Sequence, residues 1–505
     1  MKPIFRATGA TESERYLATL ADRTFLDLWS YPNTFSDRKI RGKGDGKELC
    51  DLLVVFGDDV IIFSDKSISW PPHEDIMISW VRWYKRAIEK SVDQIRGAER
   101  WLQKFPDRVF VDKSCTQRLP IELAPSDRRR VHGVAIALGA DEACKKHFGG
   151  DDGSLLILSA LTGNHHKDQN APYHQPFAIG DVDPDGPFVH VFDRAALDLV
   201  MSELDTASDF VRYLSLRSDA IRGGRILAAH NEGDLLAFYL QNDDGEGRHT
   251  FEHQEATPDT ILSFGGALFD EYTALPQYKA KKEADKVSYV WDQLITTFSK
   301  HVLAGTSVAI MDTEPSAALA ERALRMMASE GRTMRRALSH SILDAYQKAE
   351  KLGQDRYARI VLPMAGAADL ECAYVFLLMG YPKNVHLENG YDQYRHVRAS
   401  MLETYCYSVL HEHRNLKRAV GIAMDGSNKT SEGRGGSEDL MAIEITEWTD
   451  QLSADVQERR KFHEVLVPSR LQYGRHQTQE YPPASEKPTR QQRRAAERQA
   501  KKTRK

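Results

Sequence analysis

The sequence predicts an α/β protein: a mixed sheet in the N-terminal portion, a mainly helical middle region and a second α/β unit towards the C-terminus. Three observations carry this. Short apolar runs bounded by turn residues cluster before residue 193, apolar residues at helical spacing dominate the middle, and strand-like runs return after residue 355. The 505 residues suffice for about three domains. The expected division is 1–193, 194–353 and 354–480, followed by a basic tail over 481–505.

Thr11 to Trp29 reads as a helix, because Thr11-x-x-Glu14 forms a capping box and Leu17, Leu20, Thr24 and Leu28 share one face. Pro32 closes it. "ELCDLLVVFGDDVIIFSDKS", residues 48–67, follows as two apolar strands around a turn. Ile78 to Leu102 is a long amphipathic helix with Val81, Tyr84, Ile88, Val92, Ile95, Ala98 and Leu102 facing inwards. "RVFVD", "RRVHGVAIAL", "SLLILSA" and "PFVHVFD" are further strands. From Arg194 helices prevail until "RYARIVLPM", "CAYVFLLMGY", "AVGIAMDG" and "LMAIEITEW" resume strand patterning. The Gly-rich "DGSNKTSEGRGGSED" is a long polar loop, and "EKPTRQQRRAAERQAKKTRK" has the low complexity of a tail that orders only on binding.

Composition narrows the function. The longest apolar run, at Ala373 to Tyr381, is nine residues, against roughly 18 for a membrane span, and the N-terminus lacks a signal-peptide core. A cytoplasmic protein with no membrane partner is the expectation. The five cysteines are scattered without a C-x-x-C pair, which argues against a disulfide framework and a zinc ribbon. Residues 481–505 carry nine Lys/Arg against two Glu, a local +7 that leaves −12 for the rest of a chain of net charge −5. Such a tail suits polyanions such as nucleic acid. No G-x-x-x-x-G-K-[ST] loop and no G-x-S-x-G elbow occurs, so nucleotide-triphosphate and serine-hydrolase chemistry lose support.

The hairpin is the candidate site. A two-residue loop at Gly57-Asp58 pairs Phe56 with Asp59 and sets Asp51 opposite Ser64. Asp51, Ser64 and Lys66 then share one face, with Asp65 on the other. A three-residue loop would instead oppose Asp51 to Asp65 and turn Lys66 aside. Both faces of the hairpin are apolar, so its charged open end lies against a low-dielectric wall. A carboxylate and backbone carbonyls there are hard ligands for Mg²⁺ or Mn²⁺, and an ammonium one side chain away can orient water and offset charge on a phosphate.

With these residues the chain resembles the PD-(D/E)xK, or restriction-endonuclease-like, nuclease superfamily over roughly residues 11–112, and further towards Asp193. The resemblance implies a metal-dependent endonuclease acting on nucleic acid, DNA more than RNA, with Glu14 and Asp51 binding metal, Lys66 serving the nucleophilic water and Gln94 supporting the site from the following helix. By the same resemblance, restriction or anti-phage defence is the expected setting, and an oligomer is compatible with it. The sequence departs from the pattern at Ser64, where an acid is expected two residues before the lysine. Glu48 swinging in, Asp65 entering through a bulge, or an ion held by Asp51, Glu14 and the Asp65 carbonyl would each replace it. The alternative is a noncatalytic nucleic-acid-binding or assembly protein on a degenerate nuclease fold.

Other polar clusters have plainer readings. Arg82, Arg86, Lys90 and Gln94 recur every fourth residue, as a solvated helix face does. Arg128, Arg129 and Arg130 suit a surface turn or a phosphate contact. His165, His166, Asp168 and His174 lack metal-ligand spacing and read as loop polarity, as do His411 and His413. Asp425, Glu438 and Asp439 border the Gly-rich loop and match no motif.

Overall fold

A computed structural model describes residues 3–39, 45–150, 152–252, 260–308, 316–381, 390–426, 437–474 and 478–483. Most of the Gly-rich loop (427–436) and the basic tail from residue 484 lie outside them. The architecture is mixed α/β, built on three sheets.

The first sheet opens with α1 (Glu12–Thr24), a short turn of helix α2 (Leu26–Trp29) and β1 (Ser30–Ser36), followed by β2 (Lys47–Phe56) and β3 (Asp59–Ser67). The expected helix thus ends five residues early. Leu26 takes a left-handed backbone (φ 61°) that breaks it, and the chain continues as a strand through Pro32. Proline is accepted because β1 pairs with only two residues of β4 (Val109–Phe110), at Phe35 and Ser36, so at Pro32 its outer side is an edge.

The helix expected over 78–102 is α3 (Ile76–Tyr84) and α4 (Lys90–Lys104), joined by a π-helical turn over Lys85–Glu89. Then come β5 (Arg130–Leu138), α5 (Asp141–Phe148), β6 (Leu156–Thr162), β7 (Ala178–Asp181) and β8 (Val189–Phe192). The six-stranded sheet has the order β4-β1-β2-β3-β5-β8. Within it β2 runs antiparallel to both neighbours, while β3, β5 and β8 are parallel. Trp80, Trp83, Ile88, Ile95 and Leu102 pack under it, fully buried.

The middle region holds α6 (Arg194–Glu203), α7 (Ala207–Arg222), β9 (Ile226–Ala229), α8 (Glu232–Gln241), β10 (Leu262–Phe264), α9 (Leu268–Ala274), α10 (Pro276–Asp285), α11 (Tyr289–Leu303), α12 (Ala317–Ala328) and α13 (Arg332–Leu352). Its two strands complete a second sheet, β10-β9-β6-β7, through Ile157↔Ala229 and Leu158↔Ala228. This sheet joins strands from both sides of the 193/194 division.

The third sheet contains β11 (Arg356–Val361), β12 (Cys372–Met379), β13 (Arg418–Asp425) and β14 (Glu438–Glu444), in that order, with α14 (Gly390–Glu412) and α15 (Asp450–Phe462). Side-chain alternation divides β12 between two cores. Tyr374, Phe376 and Leu378 join the large core shared with the rest of the chain, and Ala373, Val375 and Leu377 face a second core with Leu402, Cys406 and Val409 of α14. Among the described residues no helix is long and apolar enough to cross a membrane.

Candidate active site

The turn between β2 and β3 has two residues. Phe56 pairs with Asp59, and Gly57 at φ 64° supplies the positive dihedral such a tight loop requires. The register therefore follows the first of the two alternatives. The ladder runs as far as Leu52↔Phe63. Beyond it the Asp51 carboxylate itself receives the Asp65 backbone N–H at 2.6 Å and the Lys66 ammonium at 3.3 Å, both on Oδ2. Asp51 is 4% exposed, and the Lys66 side chain, 28% exposed, is the one wet member of the pair.

Gln94 comes to the same carboxylate from α4. Its amide donates to Asp51 Oδ1 at 3.3 Å and its oxygen accepts from the Ser64 hydroxyl at 2.9 Å. Arg82, Arg86 and Lys90 are exposed, whereas Gln94 is half-buried. Gln94 leaves the exposed stripe because its amide turns to Asp51 and Ser64.

On the other side of the sheet edge, the Ser13 hydroxyl of α1 donates to Asp65 Oδ2. Asp65 thus points away from Lys66, as the alternation requires. Its Oδ1 is buried without a hydrogen-bond partner. Burial raises the pKa of Asp65, and the charges of Asp51 and Glu14 raise it further.

Glu14 and Glu48 meet through a residue that the sequence reading passes over. Asn33 lies between Pro32↔Leu52 and Thr34↔Cys50, opposite Asp51, with a left-handed backbone (φ 49°). Its amide nitrogen donates to Glu14 Oε2 at 2.8 Å and Glu48 Oε1 at 2.9 Å. The helix-start reading of Glu14 also holds: its N–H donates to Thr11 at 3.1 Å and its carboxylate accepts from Ala10 N–H at 2.8 Å. Burial raises the Glu14 pKa, but hydrogen bonds from Asn33, Ala10 and Thr11 outweigh it and leave the group below its ordinary value. For Glu48 the balance reverses: desolvation raises it, the Asn33 bond lowers it, and the Asp51 and Glu14 charges keep it high.

The structure therefore brings Lys66, Gln94 and the Asp65 N–H onto the Asp51 carboxylate, while Asn33 bonds Glu14 to Glu48. Among the described residues no three acid, histidine or cysteine side chains already form a metal cage. The donor set nevertheless suits Mg²⁺, which binds through one or two carboxylates and completes its shell with water and substrate phosphate. Asp51, Glu14, Glu48 and Asp65 place four carboxylates around one ammonium, and burial with mutual repulsion raises the pKa of Glu48 and Asp65. A divalent cation at Asp51 would offset that charge.

The remaining clusters lie elsewhere. Arg130 forks onto Asp59 at 2.8 and 2.6 Å and Arg129 donates to the Ala124 and Leu102 carbonyls, at the closed end of the hairpin. Arg128 reaches Asp58 at 3.7 Å. His166 is buried against Tyr84, its pKa pushed down to about 4 by burial, and its ring accepts the Gly180 N–H. His411 packs edge-on against Trp448. Asp425 and Asp439 are both paired with the fully buried Arg398.

Compared with family models, curated proteins and solved structures, the chain matches none.

Proposed function

We propose that the protein is a divalent-metal-dependent phosphodiesterase acting on nucleic acid, with DNA preferred by the resemblance of its N-terminal portion to PD-(D/E)xK nucleases. The observation that carries this reading is the 3.3 Å approach of Lys66 to Asp51 at the open, partly wet end of an otherwise buried hairpin. A sheet in which β3, β5 and β8 run parallel while β2 opposes its neighbours β1 and β3 supports a restriction-endonuclease-like core.

In this reading Asp51 is the central ligand, with Glu14, Glu48 and Asp65 as the acids that join it. Mg²⁺ or Mn²⁺ there would neutralise phosphate charge and acidify a water. Lys66 orients that water and stabilises the growing charge on the phosphate. Gln94 fixes the Asp51 carboxylate, which is also held by the Asp65 N–H, so its ligating orientation is preset.

One observation favours a second reading, a noncatalytic nucleic-acid-binding scaffold. Where the second acid of the motif would stand, Ser64 instead donates to the Gln94 side-chain oxygen. Incubation of the purified protein with plasmid and single-stranded DNA in Mg²⁺ or Mn²⁺, beside Asp51→Ala and Lys66→Ala, separates the two. Cleavage lost in both variants supports the enzyme. Binding without cleavage supports the scaffold, and cleavage that persists in both variants overturns the site.

A further inference from the structure

The acidic cluster and a separate cavity lie along the same sheet edge. β3, β5 and β8 are parallel, and open α/β sheets bind ligands outside the carboxyl ends of such strands. Asp65 and Lys66 stand opposite Ile136 and Ala137 in the β3–β5 register. Ala137 is also a wall residue of a cavity of about 220 Å³ that continues along this edge to Asp141, Leu155, Asp193 and Arg194. One strand spacing, about 4.8 Å, separates the Lys66 backbone from that of Ala137.

Three properties of the cavity select its occupant. Arg194 presents an ordered plane: its guanidinium carbon lies 3.6 Å from the centroid of the Tyr16 ring, and Asp198 fixes both residues, at 2.8 Å from the Tyr16 hydroxyl and 3.3 Å from Arg194. Arginine planes held in this way stack flat aromatic groups. Tyr16 lies one helical turn after Ser13, the residue on Asp65, so α1 connects the cavity to the acids.

The wall charge is the second property. Both Asp193 oxygens are engaged by the Ala196 and Leu155 N–H groups, at 2.8 and 2.7 Å, while Asp141 offers an exposed carboxylate in the first turn of α5. Carboxylates repel phosphate and accept N–H donors, so the cavity suits a base rather than a phosphate. Rigidity is the third. Gly139 sits at φ 97°, and a Cβ there would lie 2.3 Å from the Ile68 carbonyl, which pins this wall to the chain leaving β3.

We propose that this cavity is a subsite for one unpaired, amino-bearing nucleobase, belonging to the nucleotide next to the phosphate at Lys66, with its ring on the Arg194 plane and its amino group on Asp141. The proposal rests on the phosphodiesterase reading and deepens it: the substrate is single-stranded, or has a base extruded from the duplex.

The test uses the full chain in Ca²⁺, which permits binding without turnover, and a thymidylate dodecamer with a single central 2-aminopurine. Binding should quench the 2-aminopurine strongly in the wild type. Arg194→Ala and Arg194→Lys should both abolish the quenching, because lysine keeps the charge and loses the plane; unchanged melting temperatures establish that both variants fold. A competitor with a central adenine should displace the probe about tenfold better than one with a central abasic residue, and the difference should vanish in Arg194→Lys. Quenching that persists in either variant, or equal competition by the two oligomers in the wild type, overturns the subsite. If cleavage is lost on Asp51→Ala while no base is singled out, the subsite alone falls. If the base is singled out by a protein that cleaves nothing in Mg²⁺ or Mn²⁺, the phosphodiesterase reading falls and the subsite stands.

Discussion

Gln94 holds Asp51 from a different layer of the fold: an amide on α4 donates to a strand carboxylate at 3.3 Å while its oxygen takes the Ser64 hydroxyl at 2.9 Å. The carboxylate is therefore gripped on Oδ1 by a helix and on Oδ2 by β3. Gln94→Leu removes the helix grip and leaves Ser64 without its acceptor. Cleavage should fall by about tenfold or more, less than for Lys66→Met, whose loss should reach about 100-fold as is usual for a group acting directly on the reacting water. Initial rates on a fluorescent oligonucleotide check the order of the two effects.

The acids predict a stability signature. The folded pKa of Asp65 is raised by burial and by neighbouring negative charge. A raised folded pKa means that its contribution to stability is fully present below the unfolded value and is lost as pH rises through the folded one. Asp65→Asn should accordingly raise the melting temperature of the metal-free protein at pH 7.5 by about 1–3 °C and leave it unchanged at pH values below the normal carboxylate range. Mg²⁺ should stabilise the wild type at pH 7.5 and stabilise Asp65→Asn less. Thermal melts with and without EDTA decide both points.

Asn33 couples two carboxylates from a left-handed backbone. Asn33→Ala loses both bonds and places a poorly tolerated residue at positive φ, which should destabilise by about 1–3 kcal/mol. Asn33→Asp keeps the shape but adds a further negative charge. It should be the less stable of the two in EDTA and recover partially in Mn²⁺, a contrast visible in urea melts.

Arg398 is fully buried between Asp425 and Asp439 in the C-terminal unit. Arg398→Ala leaves two carboxylates without their common partner and should cost about 3–5 kcal/mol. Chemical denaturation followed by far-ultraviolet circular dichroism measures it.

In the proposed reading, the basic tail adds salt-sensitive affinity for nucleic acid. Tyr481 is anchored, its hydroxyl 2.9 Å from that of Tyr272 and 2.8 Å from the Leu240 carbonyl, so truncation after Pro483 removes the nine basic residues and spares the anchor. DNA affinity should drop, and on single strands the slope of log affinity against log salt should flatten by about 0.7 for each phosphate that the tail no longer neutralises. Identical slopes for the two proteins would remove the tail from nucleic-acid binding.

The hairpin is legible in the sequence because alternation and a glycine at the turn leave few registers, and one register fixes which of Asp51, Ser64, Asp65 and Lys66 face each other. β1 is not, since Pro32 and Asn33 break the strand signal of its other residues; neighbouring strands, not local propensity, hold that segment. The π turn at Lys85–Glu89 has no sequence signature, and spacing alone groups Gln94 with an exposed stripe although in the fold it turns to the Asp51 carboxylate. Asn33 can be suspected only from its capacity for a left-handed backbone beside a proline. β9 and β10 are four and three residues long, too short for a periodicity to register against the surrounding helices.

The pairing of β6 with β9 has an evolutionary corollary. A protein whose segments are strung like beads can exchange its front portion for another by recombination at a linker. Here a crossover at the 193/194 junction would strip β6 of the hydrogen-bonding neighbour supplied by residues 226–229 and bare an aggregation-prone margin. Variation in what this protein acts on should therefore accumulate by substitution along its grooves and in its peripheral loops, not by wholesale replacement of its N-terminal third.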